Sequence, residues 1–263
     1  SRSVDKAAAL ADRVHAVTVA SASAVVAQAD LTVLSVPDDV IQAVAAQIMV
    51  DTNSQKAIIH NSGAHSVDVL DAVAAQGAWV GSLHPAFPFA DVDAAMQGLK
   101  GATFALEASD VRLGEWLTAL VEVVGGRPLM LPPGAKAAYH AALVLASNYT
   151  VTLYAAAQRL LLATGADPEA VDGALGAILS ATVANISEVG IPAALTGPLL
   201  RADGGTITAH LAAINDVDTL NAYRALAMLT VPLLHARGTD PAFINQLDDL
   251  LAGDTMSSAD EQR

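Results

Sequence analysis

The densest group of reactive side chains follows a short apolar run at residues 57–60. Within six residues this segment carries His60, Ser62, Gly63 and His65. Imidazole and hydroxyl groups can donate hydrogen bonds to a ligand, and a glycine lets the backbone approach that ligand closely. A polar turn that caps a helix is the plainer alternative. A metal site would use the two histidines, but the group contains no Asp or Glu, so no metal is predicted.

Another histidine, His84, lies between a second apolar run and Pro85, and two phenylalanines follow it. In an apolar pocket an imidazole is held near neutrality and can serve as an acid, a base or a hydrogen-bond donor. The alternative is a core histidine whose ring nitrogens are both hydrogen-bonded inside the fold. We interpret His84 as a candidate catalytic residue.

The apolar run at residues 31–36 ends in Ser35-Val36-Pro37. A turn whose backbone is fixed by a proline can place its peptide groups against a ligand. The same residues equally suit a strand end followed by a helix cap at Asp38.

A helix predicted to begin at Lys136 carries polar residues on an otherwise apolar surface. At about 100° per residue, His140 and Asn148 lie about 80° apart around this helix and can reach one cleft. Such a face can donate hydrogen bonds to a carbonyl or carboxylate, or it can join two domains. Farther along the chain, Arg201 either pairs with Asp203 or binds a substrate carboxylate.

The elements that must position these residues change in type near residue 132. Before it, short β-branched runs alternate with helical patterns, which predicts a parallel sheet covered on both faces, with ligands bound at the carboxyl ends of its strands. After it, helical patterns separated by glycines predict an all-helical domain. We therefore predict domains at residues 1–132 and 133–253 and a flexible tail at 254–263. The predicted strands are residues 31–36, 57–60, 78–83, 102–106 and 128–131, and the predicted helices are 38–48, 66–76, 111–124, 136–164, 168–187, 206–214, 219–236 and 241–251.

Composition excludes several functional classes. The 263-residue chain has a formal net charge of −14, which opposes binding to nucleic acid. Its apolar share of 53% and mean hydropathy of +0.45 are too high for a disordered chain. The absence of cysteine excludes thiolate catalysis and disulfides. Because no secretory signal or convincing membrane span is apparent, we expect a cytoplasmic location and no membrane partner.

The order of these motifs resembles proteins in which a Rossmann-like domain precedes a DUF2520 domain. These are bacterial relatives of the 6-phosphogluconate, ketopantoate and pyrroline-carboxylate reductases, with a nucleotide-binding domain followed by a helical domain that often forms dimers. The resemblance covers about residues 1–237. It rests on His60-Asn61-Ser62-Gly63, on Gly81-Ser82-Leu83-His84-Pro85 with Phe89, on Tyr139-His140 with Asn148, and on Thr196-Gly197-Pro198 with Arg201 and Asp203.

The chain departs from this family at its start. No G-x-G-x-x-G motif occurs in it, although that motif normally places the cofactor pyrophosphate at a helix N-terminus. Aligned with the family, Ser1 follows the second strand, so we expect that the opening strand-helix-strand unit is missing and that this chain alone binds a dinucleotide poorly. Arg2 matches the position that contacts the 2′-phosphate in NADP-dependent members.

The resemblance implies a function and a set of site residues. It implies an NADP-dependent oxidoreductase that transfers a hydride to or from a small 2-oxo or 2-hydroxy acid, similar to ketopantoate reductase, and that forms a homodimer through its helical domain. The alternative is a non-catalytic protein that binds a nucleotide or a metabolite. The residues that would bind the cofactor are Arg2, Ser35, Val36, Pro37 and Ser62. The catalytic residues would be His84, Lys136, His140 and Asn148. The substrate would bind to Ser62, His84 and Arg201, with Lys136 as an alternative partner of its carboxylate.

Overall fold

The computed structural model divides the chain into two compact units, Ser1–Tyr149 and Thr150–Arg263. It describes residues 3–51, 53, 55–89 and 98–252. Arg2 and the predicted tail at 254–263 lie outside the described residues. The domain boundary expected after residue 132 stays a prediction, and the helix that begins at Lys136 belongs to the first unit.

Five strands of the first unit form one sheet with its strands in chain order. β1, β2 and β3 are parallel to one another, as are β4 and β5. The strands are β1 Leu31–Leu34, β2 Ala57–His60, β3 Trp79–Pro85, β4 Thr103–Ala108 and β5 Arg127–Met130.

One strand pairing corrects the prediction of a parallel sheet, because β4 runs antiparallel to β3. Phe104, near the start of β4, pairs with Pro85 at the end of β3. A parallel neighbour would require the chain to cross to the other end of the sheet before β4 begins. Because β4 is antiparallel, it begins beside the end of β3. As a result, only β1, β2 and β3 present their carboxyl ends at one edge.

Apolar clusters cover both faces of the sheet. Successive side chains of a strand point to opposite faces, so Ile58 packs in one cluster with Ile41 and Leu70, whereas Ile59 packs in the other. β2 is buried along its whole length, as expected for a strand covered on both sides. In the helix at Val111–Val123, α5, the side chains of Leu113, Leu117 and Val121 recur every four residues and belong to the second cluster.

The helices of the first unit follow the predicted positions, with local differences. The predicted helices at 38–48 and 66–76 each begin with a 3₁₀ turn, Asp38–Val40 and Val67–Leu70. Two short helices near the start, α1 and α2, were not predicted. The helices are α1 Val4–Arg13, α2 Ala22–Gln28, α3 Ile41–Ala45, α4 Asp71–Ala74, α5 Val111–Val123 and α6 Lys136–Leu143, and a π-helical turn, Val144–Asn148, follows α6.

Helices are the only regular secondary structure among the described residues of the second unit, as the sequence predicted. Its core contains Ile207, Ala227, Leu234 and Leu247. Among the described residues, only the helix Pro168–Val189, α8, is long and apolar enough to span a membrane. Core helices of soluble proteins also meet this criterion. In α8, 6% of the most apolar 18-residue window is buried. The helices are α7 Tyr149–Leu162, which starts at the end of the first unit, α8 Pro168–Val189, α9 Gly204–Ala213, α10 Val217–Ala236 and α11 Pro241–Ala252.

Candidate active site at the carboxyl edge of the sheet

His60, at the end of β2, is a structural residue. It is fully buried, its Nε2 lies 3.1 Å from the carbonyl oxygen of Ser66, and its Nδ1 accepts a hydrogen bond from the backbone N–H of Ser62. A carbonyl oxygen can only accept, so the ring proton is on Nε2 and both nitrogens are satisfied. Burial lowers the pKa of His60, which keeps the ring neutral. Within the described ranges, no three His, Asp or Glu side chains converge into a group that could hold a metal.

Ser62 connects the end of β2 to the turn after β1. Its hydroxyl donates to Asp38 Oδ2 at 2.7 Å and accepts from the backbone N–H groups of Ala64 and His65 at 3.2 and 3.1 Å. Because Ser62 is buried and its only proton is directed to Asp38, the geometry gives it a clear structural role. Its predicted contacts with cofactor and substrate stay predictions.

The predicted cofactor residues Ser35, Val36 and Pro37 lie at the same edge. Ser35 Oγ accepts a hydrogen bond of 3.2 Å from the side chain of Asn61, which forms a second link between the ends of β1 and β2. Val36 packs against the core, and the exposed Pro37 precedes the 3₁₀ turn. The bond between Ser35 and Asn61 places the end of β1 beside the end of β2. Contact of Ser35, Val36 and Pro37 with a cofactor stays a prediction.

Among the described residues, His84, at the end of β3, has a hydrogen-bond partner at one ring nitrogen only. Its Nδ1 lies 2.9 Å from Tyr139 Oη, and the two rings are nearly perpendicular. Burial, with smaller contributions from the charges of Lys136 and His140, lowers the pKa of His84 to about 4. Burial also raises the pKa of Tyr139 to about 12. Both side chains are therefore neutral around pH 7.

The second nitrogen of His84 packs against Gly63. A Cβ atom at Gly63 would lie 2.7 Å from His84 Nε2 and 2.9 Å from His140 Cδ2, both too short for a real contact. Only a glycine at this position therefore lets the two imidazole rings lie so close to the backbone after β2.

Lys136 takes part in a buried network beneath the site. Its Nζ donates to Ser82 Oγ at 2.7 Å, and Ser82 Oγ donates to Glu107 Oε2 at 2.7 Å. Lys136 Nζ also lies 3.5 Å from Glu107 Oε2, and all three side chains are buried. Burial lowers the pKa of Lys136, while the carboxylate of Glu107 opposes that change. This arrangement supports a positioning role, and direct catalysis by Lys136 stays a prediction.

His84, His140 and Asn148 line one open cavity of about 420 Å³. Phe87 and Val144 contribute apolar walls. The helix that carries His140 and Asn148 continues from α6 into the π-helical turn, which ends at Asn148. Such turns are rare and occur frequently at functional sites, because they change the direction in which helical side chains project.

Arg201 lies in the second unit, in the turn before α9. The carboxylate of Asp203 accepts hydrogen bonds from the backbone and hydroxyl of Thr206 at 3.0 and 2.7 Å and so caps α9. These bonds lower the pKa of Asp203, and the charge of Arg201 contributes less. Asp203 thus serves mainly as a helix cap, and carboxylate binding by Arg201 stays a prediction.

Sequence reasoning brought His84, His140 and Asn148 together correctly but gave no role to Tyr139 or Glu107. Two signals were available. Tyr139 lies one helical turn after Lys136 and next to His140. Glu107 is a charged residue directly after a predicted buried strand, where a charge needs a partner.

Two family models match the chain. The Rossmann-like domain model matches residues 2–85, and the model of the domain of unknown function DUF2520 matches residues 102–230, from the start of the β4 region into the second unit. No curated protein matches the sequence.

Solved structures share the fold across most of their length. A protein from Thermotoga maritima is 23% identical with a TM-score of 0.69, and the match covers 89% of this chain and 90% of that one. Pyrroline-5-carboxylate reductase from Coxiella burnetii is 16% identical, with a TM-score of 0.56 and coverage of 95% and 86%. A reductive aminase from Aspergillus terreus, in complex with NADPH and ethyl levulinate, is 17% identical, with a TM-score of 0.59 and coverage of 92% and 87%. The two family models that match are those that the sequence motifs predicted, a Rossmann-like domain followed by DUF2520.

Proposed function

We propose that the protein is an NADP-dependent oxidoreductase that reduces the carbonyl group of a small 2-oxo acid or oxidises the corresponding 2-hydroxy acid. One observation carries the proposal: His84, His140 and Asn148 line one cavity beside the carboxyl end of β3 in a Rossmann-like sheet. In this fold, ligands bind at that edge.

The choice of cofactor is supported by the solved structures of the same fold. The reductive aminase from Aspergillus terreus binds NADPH, and the protein from Coxiella burnetii is a reductase. In the present chain, the cavity lined by His84, His140 and Asn148 has apolar walls from Phe87 and Val144, which suits a planar ring flanked by hydrogen-bonding groups. When bound, NADPH would supply the hydride. Arg2 is retained as the predicted contact of the 2′-phosphate.

His84 would act on the substrate oxygen. A neutral imidazole that donates from Nε2 stabilises the negative charge that develops on this oxygen when the carbonyl carbon gains a hydride. The low pKa of His84 excludes a large imidazolium population at pH 7, so the group acts as a neutral donor. His140 and Asn148, on the wall of the same cavity, would orient the substrate.

We assign the substrate carboxylate to Arg201 and not to Lys136. Lys136 Nζ is buried against Ser82 and Glu107, so its charge is already paired. Arg201 can bind a carboxylate through two parallel hydrogen bonds. Arg201→Ala should then raise KM for 2-oxo acids and leave KM for a ketone without a carboxylate unchanged.

The test is NADPH consumption by the purified protein with 2-oxo acids, including ketopantoate, and with cyclic imines. His84→Ala should lower kcat/KM by roughly 10²- to 10³-fold, because one donor to the developing oxyanion is lost. Asn148→Ala should have a smaller effect, and His235→Ala, on an exposed part of α10, should have none. Absence of NADPH binding would overturn the cofactor assignment. Unchanged turnover in His84→Ala would overturn the site assignment.

We also propose that the helical unit forms a homodimer through α8. This helix is described in full and buries only Val171, whereas Ile178 and Val183 are 65% and 55% exposed. Apolar surface of this kind is stabilised by covering it, and a second copy supplies the same face. Light scattering should give a dimer mass for the wild type and a monomer mass for Val183→Glu. A monomeric wild type would contradict the proposal, as would a wild type that requires detergent. The cytoplasmic location stays a prediction.

A further inference from the structure

Tyr139 is not among the residues that line the cavity, yet it forms a hydrogen bond with His84, which is. The Oη–Nδ1 distance is 2.9 Å, and the ring centroids are 5.7 Å apart with an interplanar angle of 83°. The two residues are 55 positions apart in sequence, so this contact joins β3 to α6. Within the part of the chain that the structure describes, Nε2 has no hydrogen-bond partner.

A single proton is shared between Oη and Nδ1, and chemistry decides which atom carries it. Both groups are neutral around pH 7, so either the phenol donates to Nδ1 or the imidazole donates to the phenol oxygen. A phenol is a stronger hydrogen-bond donor than a neutral imidazole, and an imidazole nitrogen is a stronger acceptor than a phenol oxygen. The Tyr139 hydroxyl therefore donates, and the ring proton of His84 is on Nε2.

We propose that Tyr139 is a positioning residue whose hydroxyl holds His84 in the tautomer protonated at Nε2, and whose proton replaces the one that His84 transfers to a ligand in the cavity that it lines. This inference rests on the proposed reduction of a carbonyl group. It adds the source of the proton and the reason why His84 is a donor.

The step balances in atoms and charge. The carbonyl carbon gains a hydride from NADPH, and the substrate oxygen takes the proton from His84 Nε2. Nδ1 takes the proton from Tyr139 Oη at the same time, so the imidazole stays neutral and the negative charge moves to the phenolate. Lys136 Nζ, 5.9 Å from the centre of the Tyr139 ring, favours that charge. Solvent water then returns a proton to Tyr139, which is partly exposed.

The first experiment reads the tautomer without cofactor or substrate. In ¹⁵N-histidine-labelled wild type near pH 7, the two-bond couplings and the nitrogen chemical shifts of His84 distinguish a protonated Nε2 from a protonated Nδ1. His84→Gln identifies the signal. We expect a single tautomer protonated at Nε2 in the wild type and a mixture of both tautomers in Tyr139→Phe. A wild-type His84 protonated at Nδ1 would overturn the inference, whether or not the protein has the proposed activity.

The second experiment measures turnover with the best substrate found. Tyr139→Phe should lower kcat by roughly 10- to 100-fold with little change in KM, because binding is preserved while the donor is lost. In the His84→Gln variant, the side-chain amide carries its own N–H donors and has no tautomer to be fixed. Adding Tyr139→Phe to this variant should therefore lower kcat no further. Tyr149→Phe, at an exposed tyrosine, is the matched control and should behave as the wild type. Equal losses in both backgrounds would overturn the inference. If no substrate is turned over, the proposed function fails while the tautomer result still decides the role of Tyr139 in orienting His84.

Discussion

The ends of β2 and β3 each carry a histidine, and the two histidines have different environments. Both ring nitrogens of His60 are hydrogen-bonded inside the fold and the side chain is fully buried. His84 uses one nitrogen for Tyr139, and its other nitrogen packs against Gly63 beside the cavity. In the register of these two adjacent parallel strands, His60 pairs with Ser82, so His84 lies two residues farther along and past the end of β2.

The difference shows what makes a strand-end histidine available for chemistry. A satisfied imidazole contributes to stability, because removing it leaves buried donors and acceptors without partners. An imidazole held by one nitrogen contributes little to stability but keeps a donor or acceptor for a ligand. We therefore expect substitutions on the β2 side to affect folding and substitutions around His84 Nε2 to affect turnover.

The largest expected effect tests the network that supports the β3 side. Lys136→Met should lower the free energy of unfolding by about 3–5 kcal/mol, because it leaves the buried carboxylate of Glu107 without its charge partner. Lys56→Met is the matched control, since its partner Asp30 has an 88% exposed side chain, and it should cost less than about 1 kcal/mol. Urea unfolding measures both. Similar losses in the two variants would show that the network contributes no more than a surface pair.

The second effect separates the two histidines directly. His60→Leu should lower the free energy of unfolding by about 2–4 kcal/mol, because it leaves the carbonyl of Ser66 and the N–H of Ser62 without their bonds. His84→Gln should cost less than about 1 kcal/mol in the same urea measurement, because it retains a polar side chain at a partly exposed position. If His84→Gln is the more destabilising change, the assignment of roles is reversed.

The third effect concerns the contact between Gly63 and His84. Gly63→Ala should lower kcat/KM by roughly 10- to 100-fold, because the added Cβ would lie too close to His84 Nε2 and displace the ring. Gly173→Ala, in α8, meets no atom within 4 Å and serves as the control for adding a methyl group to a glycine. Steady-state kinetics with NADPH compares the variants. Full activity in Gly63→Ala would show that turnover does not depend on the position of the His84 ring.

The smallest effect is the pH dependence of stability. The pKa values of both His60 and His84 are lowered in the folded state from 6.5, that of His84 to about 4. The unfolded chain therefore binds protons first as the pH falls, so the stabilisation is complete above pH 6.5 and is lost progressively towards pH 4. We expect a loss on the order of 1 kcal/mol per histidine between about pH 7.5 and about pH 5. In urea unfolding, the free energy of unfolding of His60→Leu and of His84→Gln should depend less on pH than that of the wild type. The same pH dependence in the variants and the wild type would contradict this prediction.

Local sequence pattern was sufficient for the five strands and for most of the helices, although it missed α1 and α2. The β-branched run Leu31–Leu34 and the four-residue spacing of Leu113, Leu117 and Val121 predict a strand and a helix, because side-chain periodicity reflects which face is buried. The direction of β4 was not predictable in this way, since a strand has the same pattern in a parallel and an antiparallel pairing. The π-helical turn at Val144–Asn148 was also missed, because the apolar pattern continues through it.

The sequence by itself determined which residue types are available: the histidines at the strand ends, the glycine beside them, and a helix that begins with a lysine. Only the tertiary structure decided their roles. The proton on His84, the packing of His84 against Gly63 and the partner of Lys136 depend on contacts between residues 21 to 55 positions apart. Such contacts are set by how the strands and helices pack, which no local pattern records.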